Sequence, residues 1–82
     1  MAIDFIELIT SMIKPLVMNP DDVVVKKLSE SADNVSVQVI VHSDDLGRVI
    51  GKGGKIVSAI RTILYAGAAK ENVRISLDVD SF

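Results

Sequence analysis

The sequence predicts an α+β domain in which helices cover one face of a three-stranded mixed sheet. Three observations carry that prediction. Near the start, Ile3, Ile6, Ile9, Ile13 and Leu16 recur at helical spacing. Two later segments alternate with period two: Val35, Val37, Val39 and Val41 against Ser36, Gln38, Ile40 and His42, then Val73, Ile75, Leu77 and Val79 against Arg74, Ser76, Asp78 and Asp80. Roughly thirty residues of mainly helical pattern lie between those two segments, and a crossover of that length favours parallel pairing with a right-handed connection.

The elements follow in order. The first helix is expected over 2–17, with Phe5, Leu8, Met12 and Val17 widening its apolar stripe and Pro15 distorting its last turn. Asn19-Pro20-Asp21-Asp22 reads as a turn, because Pro fixes one torsion while Asn and Asp bond their own backbone. A strand from Val23 to about Ser29 and a connection at Ser31-Ala32-Asp33-Asn34 make an antiparallel hairpin with the Val35–Val41 strand. Ser43 or Asp44 is placed to cap a short helix that runs to about Ile50. A longer helix is expected from Gly54 to Ala69, before the third strand. The order is helix, strand, strand, helix, helix, strand.

With 82 residues and 49% of them apolar, the chain reads as a single domain over 1–82, near the lower size limit for a core without staples. It has no cysteine, which excludes a disulfide framework and a thiolate zinc site and suits a reducing cytoplasm. Asp4, Glu7 and Lys14 interrupt the apolar start, so neither an export signal nor a membrane segment is read there. Net charge is −2, but it is unevenly spread. Residues 1–45 hold three Lys against eight acids, whereas residues 46–74 hold Arg48, Lys52, Lys55, Arg61, Lys70 and Arg74 against Glu71 alone. A basic half on an acidic chain allows phosphate contact and limits indiscriminate adhesion.

Within the basic half stands Val49-Ile50-Gly51-Lys52-Gly53-Gly54-Lys55-Ile56. Glycines at Gly51 and Gly54 allow backbone angles closed to other residues and remove Cβ atoms that would hold a ligand away. The following helix aims unpaired N–H groups and the positive end of its dipole at the same spot, and Lys52 and Lys55 add full charge. A sugar-phosphate backbone is the ligand such a loop suits. A Gly-rich loop before a helix is also commonly a plain tight turn, so the flanks matter. Other phosphate loops fit poorly: a Walker loop needs Ser or Thr after its Gly-Lys, where Gly53 stands, and GxGxxG from Gly51 needs Gly at Ile56.

Val49-Ile50-Gly51-Lys52-Gly53-Gly54 between two helices resembles the signature of a KH domain, and the element order resembles the type II arrangement. Lys14-Pro15-Leu16-Val17, Asn19-Pro20-Asp21, Gly47-Arg48-Val49-Ile50-Gly51-Lys52 and Ser58-Ala59-Ile60-Arg61-Thr62 extend the likeness to the KhpA family of small bacterial single-KH RNA-binding proteins. The resemblance covers essentially the whole chain. It implies that Lys52 and Gly53 face the backbone of single-stranded RNA, with a neighbouring apolar groove reading about four bases. The RNA contact set is then Arg48, Ile50, Gly51, Lys52, Gly53, Gly54, Lys55, Ile56 and Arg61, with Val39, Val41 and Val57 lining or supporting the groove. Phe5, Tyr65 and Phe82 are the only aromatics, too few for a stacking platform, so base discrimination should be weak. Lys26, Lys27 and Lys70 read as solvated surface.

The long helix carries more apolar surface than one sheet face requires. Val57, Ile60 and Leu64 form one stripe, Ile56, Ile63 and Gly67 a second, and Ala59 with Ala66 extends the arc. The surplus around Ile63, Ala59, Ala66 and Gly67 is either the edge of a wide core or a partner surface, and so wide a patch on so small a domain favours a partner. The resemblance implies self-association and pairing with a larger KH-containing protein of the KhpB or Jag type. His42 has no second ligand for a metal, the pairs Asp21-Asp22 and Asp44-Asp45 sit where turns and caps use Asp, and no nucleophile constellation is present. No enzyme, metal or cofactor is read. The expectation is a cytoplasmic RNA-binding module, a post-transcriptional regulator or RNA chaperone; the rival is a protein-interaction adaptor with a vestigial loop.

Overall fold

The computed structural model describes residues 3–82, so the start of the expected first helix at position 2 lies outside the described residues. Helix α1 spans Phe5–Ile13. It begins there because Asp4 is its N-cap, the carboxylate accepting the Glu7 N–H at 3.1 Å. The helical pattern to position 17 is interrupted as Pro15 predicts, since the last turn tightens to a 3-10 turn at Lys14–Leu16. A second 3-10 turn at Pro20–Asp22 leads into β1, Val24–Glu30.

Strand β2 covers Asn34–Val41 and pairs antiparallel with β1, from Val24 opposite Ile40 to Glu30 opposite Val35. The register shifts between Lys27 and Ser29, leaving Leu28 in a bulge, so the hairpin is less regular than the alternation alone suggests. A 3-10 turn at Ser43–Asp45 runs into α2, Leu46–Ile50, and α3 covers Lys55–Lys70. Strand β3, Arg74–Ser81, returns parallel to β2, from Asn34 opposite Arg74 to Val41 opposite Ser81. The sheet order is β1-β2-β3. Element order and pairing are those of the type II KH arrangement.

All three helices lie on one face. The buried residues of the sheet are Val35, Val37, Val39 and Val41 with Ile75 and Leu77, and they meet Phe5, Ile9 and Ile13 of α1, Val49 of α2, and Val57, Ile60, Leu64 and Ala68 of α3. Burying each such aliphatic side chain is worth about 1.5–3 kcal/mol, which makes this face the main source of stability. Helix α3 ends in a left-handed cap. Asn72 takes φ 57, its N–H bonds the Ala69 carbonyl, and the Val73 N–H bonds the Ala68 carbonyl, satisfying the last carbonyls of the helix.

Candidate nucleic-acid interface

Helix α2 ends because Gly51 leaves the right-handed region, at φ 78 and ψ 170. Its N–H still bonds the Gly47 carbonyl at 2.9 Å, and the Gly54 N–H turns back to the Gly51 carbonyl at 3.1 Å, closing a tight turn around Lys52 and Gly53. Gly53 and Gly54 also take positive φ, 66 and 77. The three glycines serve different ends. A Cβ on Gly51 would lie 2.6 Å from Cγ1 of Ile56, so its bare Cα is needed by the protein's own packing, which corrects the expectation that it is there for ligand approach. Gly53 and Gly54 have nothing within 4 Å of a notional Cβ, and at these positions the absent side chain opens the backbone to an incoming chain.

Gly54 is the N-cap of α3 and offers no side-chain acceptor; the Lys55 N–H turns back to the Lys52 carbonyl, and the positive end of a sixteen-residue helix otherwise lacks a side-chain cap that would compete with an outside anion. Lys52, Gly53 and Lys55 are exposed around that terminus. Arg48 lies on α2, one turn before the loop, with its Nε 3.3 Å from Oδ1 of Asp45. Arg61 is placed differently: a terminal nitrogen donates to the Leu77 carbonyl at 2.9 Å, across the seam between α3 and β3. Lys70 and Arg74 stand at the far end of α3, about 24 Å from the loop at 1.5 Å per residue. The basic half of the sequence is therefore not one basic face, and the charge beside the loop comes down to Arg48, Lys52 and Lys55.

Ile50 and Ile56 are half-buried on either side of the turn. Val39 and Val41 are fully buried and Val57 nearly so; they belong to the core and do not line a groove. Ile63 is 53% exposed, and Ala59 and Ala66 are exposed with it. Gly67 is not part of that free surface. A Cβ there would sit 3.2 Å from Ile3 Cδ1 and 3.6 Å from Phe5 Cε1, so α1 already covers it.

Two details escaped the sequence reading. His42 caps the turn before α2, its Nδ1 accepting the Asp44 N–H at 3.0 Å, in the role expected of Ser43 or Asp44. Asp45 is fully buried and accepts three hydrogen bonds at 3.0 Å, from the Met18 N–H, the Asn19 N–H and Asn19 Nδ2. Its carboxyl is held below the usual carboxylate range by the Met18 N–H foremost, then by both Asn19 donors and Arg48, which together outweigh burial. An adjacent Asp pair gives no sign of which member turns inward. Among the described residues no three potential ligand side chains converge as a metal site, and no helix is long and apolar enough to cross a membrane.

The family model described as "KhpA/KhpB, KH domain" matches residues 6–79, the span from α1 to β3. The chain belongs to the KhpA/KhpB family of KH domains. RNA-binding protein KhpA of Listeria monocytogenes is 44% identical over 73 residues, which cover 89% of this chain and 95% of that protein. Its counterpart in Oceanobacillus iheyensis is 44% identical over 88% of this chain and 95% of its own. A third KhpA, from Chlamydia pneumoniae, is 36% identical over 89% and 92%. No solved structure matches the chain. Within the KhpA/KhpB span lie the hairpin, both helices around the glycine turn and nearly all of the parallel strand.

Proposed function

We propose that this KhpA/KhpB-family domain binds RNA and clamps the backbone of a single strand with the Gly51-Lys52-Gly53-Gly54 turn. The observation that carries the reading is the turn itself: open backbone at Gly53 and Gly54, an uncapped N-terminus of α3 directly behind it, and Lys52 and Lys55 exposed beside it. Family membership supports it, since the curated relatives carry the name RNA-binding protein. Lys52, Lys55 and Arg48 supply phosphate contacts, Ile50 and Ile56 the apolar flank for bases, and Arg61 a nearby positive charge already engaged with β3. Base preference is weak because no aromatic flanks the turn.

The working form in this proposal is a dimer through Ile63, Ala59 and Ala66, either with a second copy or with a KhpB-type chain, acting in the cytoplasm as a post-transcriptional regulator or RNA chaperone. Exposure of Ile63 together with Ala59 and Ala66, on a helix whose Val57, Ile60 and Leu64 are buried in the core, supports that surface. The test is anisotropy of a labelled mixed-sequence single-stranded RNA at two salt concentrations, with a duplex of the same sequence as comparison. Binding that prefers the single strand and weakens with salt is expected. Absence of binding at low salt refutes the reading and favours a protein-interaction adaptor.

A further inference from the structure

The sheet order β1-β2-β3 leaves two free edges, and they are made differently. An open edge is a template for pairing with another chain; lysines, bulges and charges turned toward the core blunt it. β1 has all three. Lys27 stands opposite Val37 and Glu30 opposite Val35, so both charges sit on the core side of the sheet, and Leu28 lies in the bulge. β3 has none of them: its core-side residues are Ile75, Leu77 and Val79, and it pairs with β2 without a register shift from Arg74 to Ser81. The Arg74 N–H reaches the Asp33 carbonyl at 2.7 Å and the Phe82 N–H the Val41 carbonyl at 3.1 Å. Even-numbered residues of β3 therefore bond toward β2, and the main chain of Ile75, Leu77 and Val79 points away from it. Among the described residues one bond from another element closes that edge, from Arg61 to the Leu77 carbonyl at 2.9 Å.

We propose that the open edge of β3 is a pairing surface for a second copy of this chain, and that Arg61 holds it shut. Strand β3 is complementary to itself. Set antiparallel about Leu77, it places Arg74 opposite Asp80 of the second copy and Ser76 opposite Asp78, all on the solvent face, and two-fold symmetry makes each pairing twice. Neither Arg74 nor Asp80 has an ion-pair partner among the described residues. On the core side Leu77 meets Leu77, and Ile75 meets Val79. Beside Ile75 a groove of about 350 Å³, lined also by Tyr65, Ala68, Ala69 and Val73, has room for that valine. The obstacle lies at the centre of the pairing. The two Leu77 Cα atoms come to about 5.5 Å, each with an Arg61 guanidinium on its carbonyl, which crowds two like charges where water is excluded. This surface is independent of the RNA reading and of Ile63, which lies about 200° around α3 from Arg61.

The experiment is sedimentation equilibrium of the full chain over a concentration series, in an Ile63→Glu background that takes the other proposed surface out of play, with thermal unfolding to establish that each variant is folded. Arg61→Ala should associate roughly tenfold more tightly than this parent, and Arg61→Lys, which keeps the charge, should not. Adding Arg74→Asp to Arg61→Ala should undo the gain, and adding Asp80→Arg as well should restore it, because the swap rebuilds the pair with opposite polarity. No gain on Arg61→Ala, an equal gain on Arg61→Lys, or a gain that ignores the charge at position 74 or fails to return with the swap overturns the inference and leaves the RNA reading standing. Should Arg61→Ala or Ile63→Glu fail to fold, Arg61→Gln or the wild-type background takes its place, with association read relative to that parent.

Discussion

Replacing Lys52 and Gly53 together by Asp perturbs the turn where its backbone is most open. The change removes one positive charge and adds two negative ones, a swing of three units. At about 4 Å in water-like dielectric each unit is worth roughly 1 kcal/mol against a phosphate, so about 3 kcal/mol, or on the order of a hundredfold in affinity, is expected before salt screening. The fold pays separately, because Gly53 sits at φ 66 and an L-residue there costs about 1–2 kcal/mol. Gly53→Asn carries much of that backbone cost without the charge and is the matched control. Anisotropy with single-stranded RNA reads the affinity, and thermal unfolding reads the stability. A double variant that is folded and binds as the wild type does would place the ligand elsewhere and remove the central claim; a loss shared equally by Gly53→Asn would assign the effect to backbone strain.

Ile63→Glu should leave the domain folded, because the side chain is already half exposed, but should dissociate the proposed dimer, since a charge buried between subunits is costly; sedimentation showing a folded dimer would eliminate this surface. Gly51→Ala should destabilise by several kcal/mol: φ 78 with ψ 170 is a nearly glycine-only region costing about 1–3 kcal/mol, and the 2.6 Å contact with Ile56 adds to it, so a thermal midpoint close to wild type would contradict the geometry. Acid stability should report Asp45. Its folded pKa is depressed, so its contribution is complete above the unfolded carboxylate value and is lost as pH falls below about 4. Denaturant midpoints measured across that range should fall less steeply in Asp45→Asn than in the wild type.

Strand order and the one-faced packing of the helices were legible because period-two segments and a helical crossover leave few topologies open. Positions 74–80 alternate strictly and 35–41 do so but for Ile40, and β2 and β3 run where they do. The turn was legible as a motif, but not the separate reasons for its glycines, since a missing Cβ looks the same whether it makes room for Ile56 or for a ligand. Charge summed along the chain overstated the basic face because a helix of sixteen residues carries Lys70 far from Lys52. Gly67 reads as outer surface in the sequence because helical periodicity cannot say that Ile3 and Phe5 cross above it. Asp45 reads as turn chemistry in the sequence because its partners, Met18 and Asn19, lie twenty-seven and twenty-six positions away.

The parallel pairing of β2 with β3 bears on how the binding surface comes into being. The β1-β2 hairpin joins near neighbours, but Asn34 meets Arg74 across about forty positions, and such non-local pairing is the slow part of folding. The glycine turn lies inside that crossover, and the Arg61 bond to Leu77 cannot form until β3 is in place. The proposed RNA surface is thus completed in the same cooperative step as the core, so in this proposal only the native fraction of chains is competent to bind. By mass action the ligand then stabilises the fold in return: RNA at about 100 times its Kd adds roughly 2.7 kcal/mol, a large share of the stability expected for a domain this small.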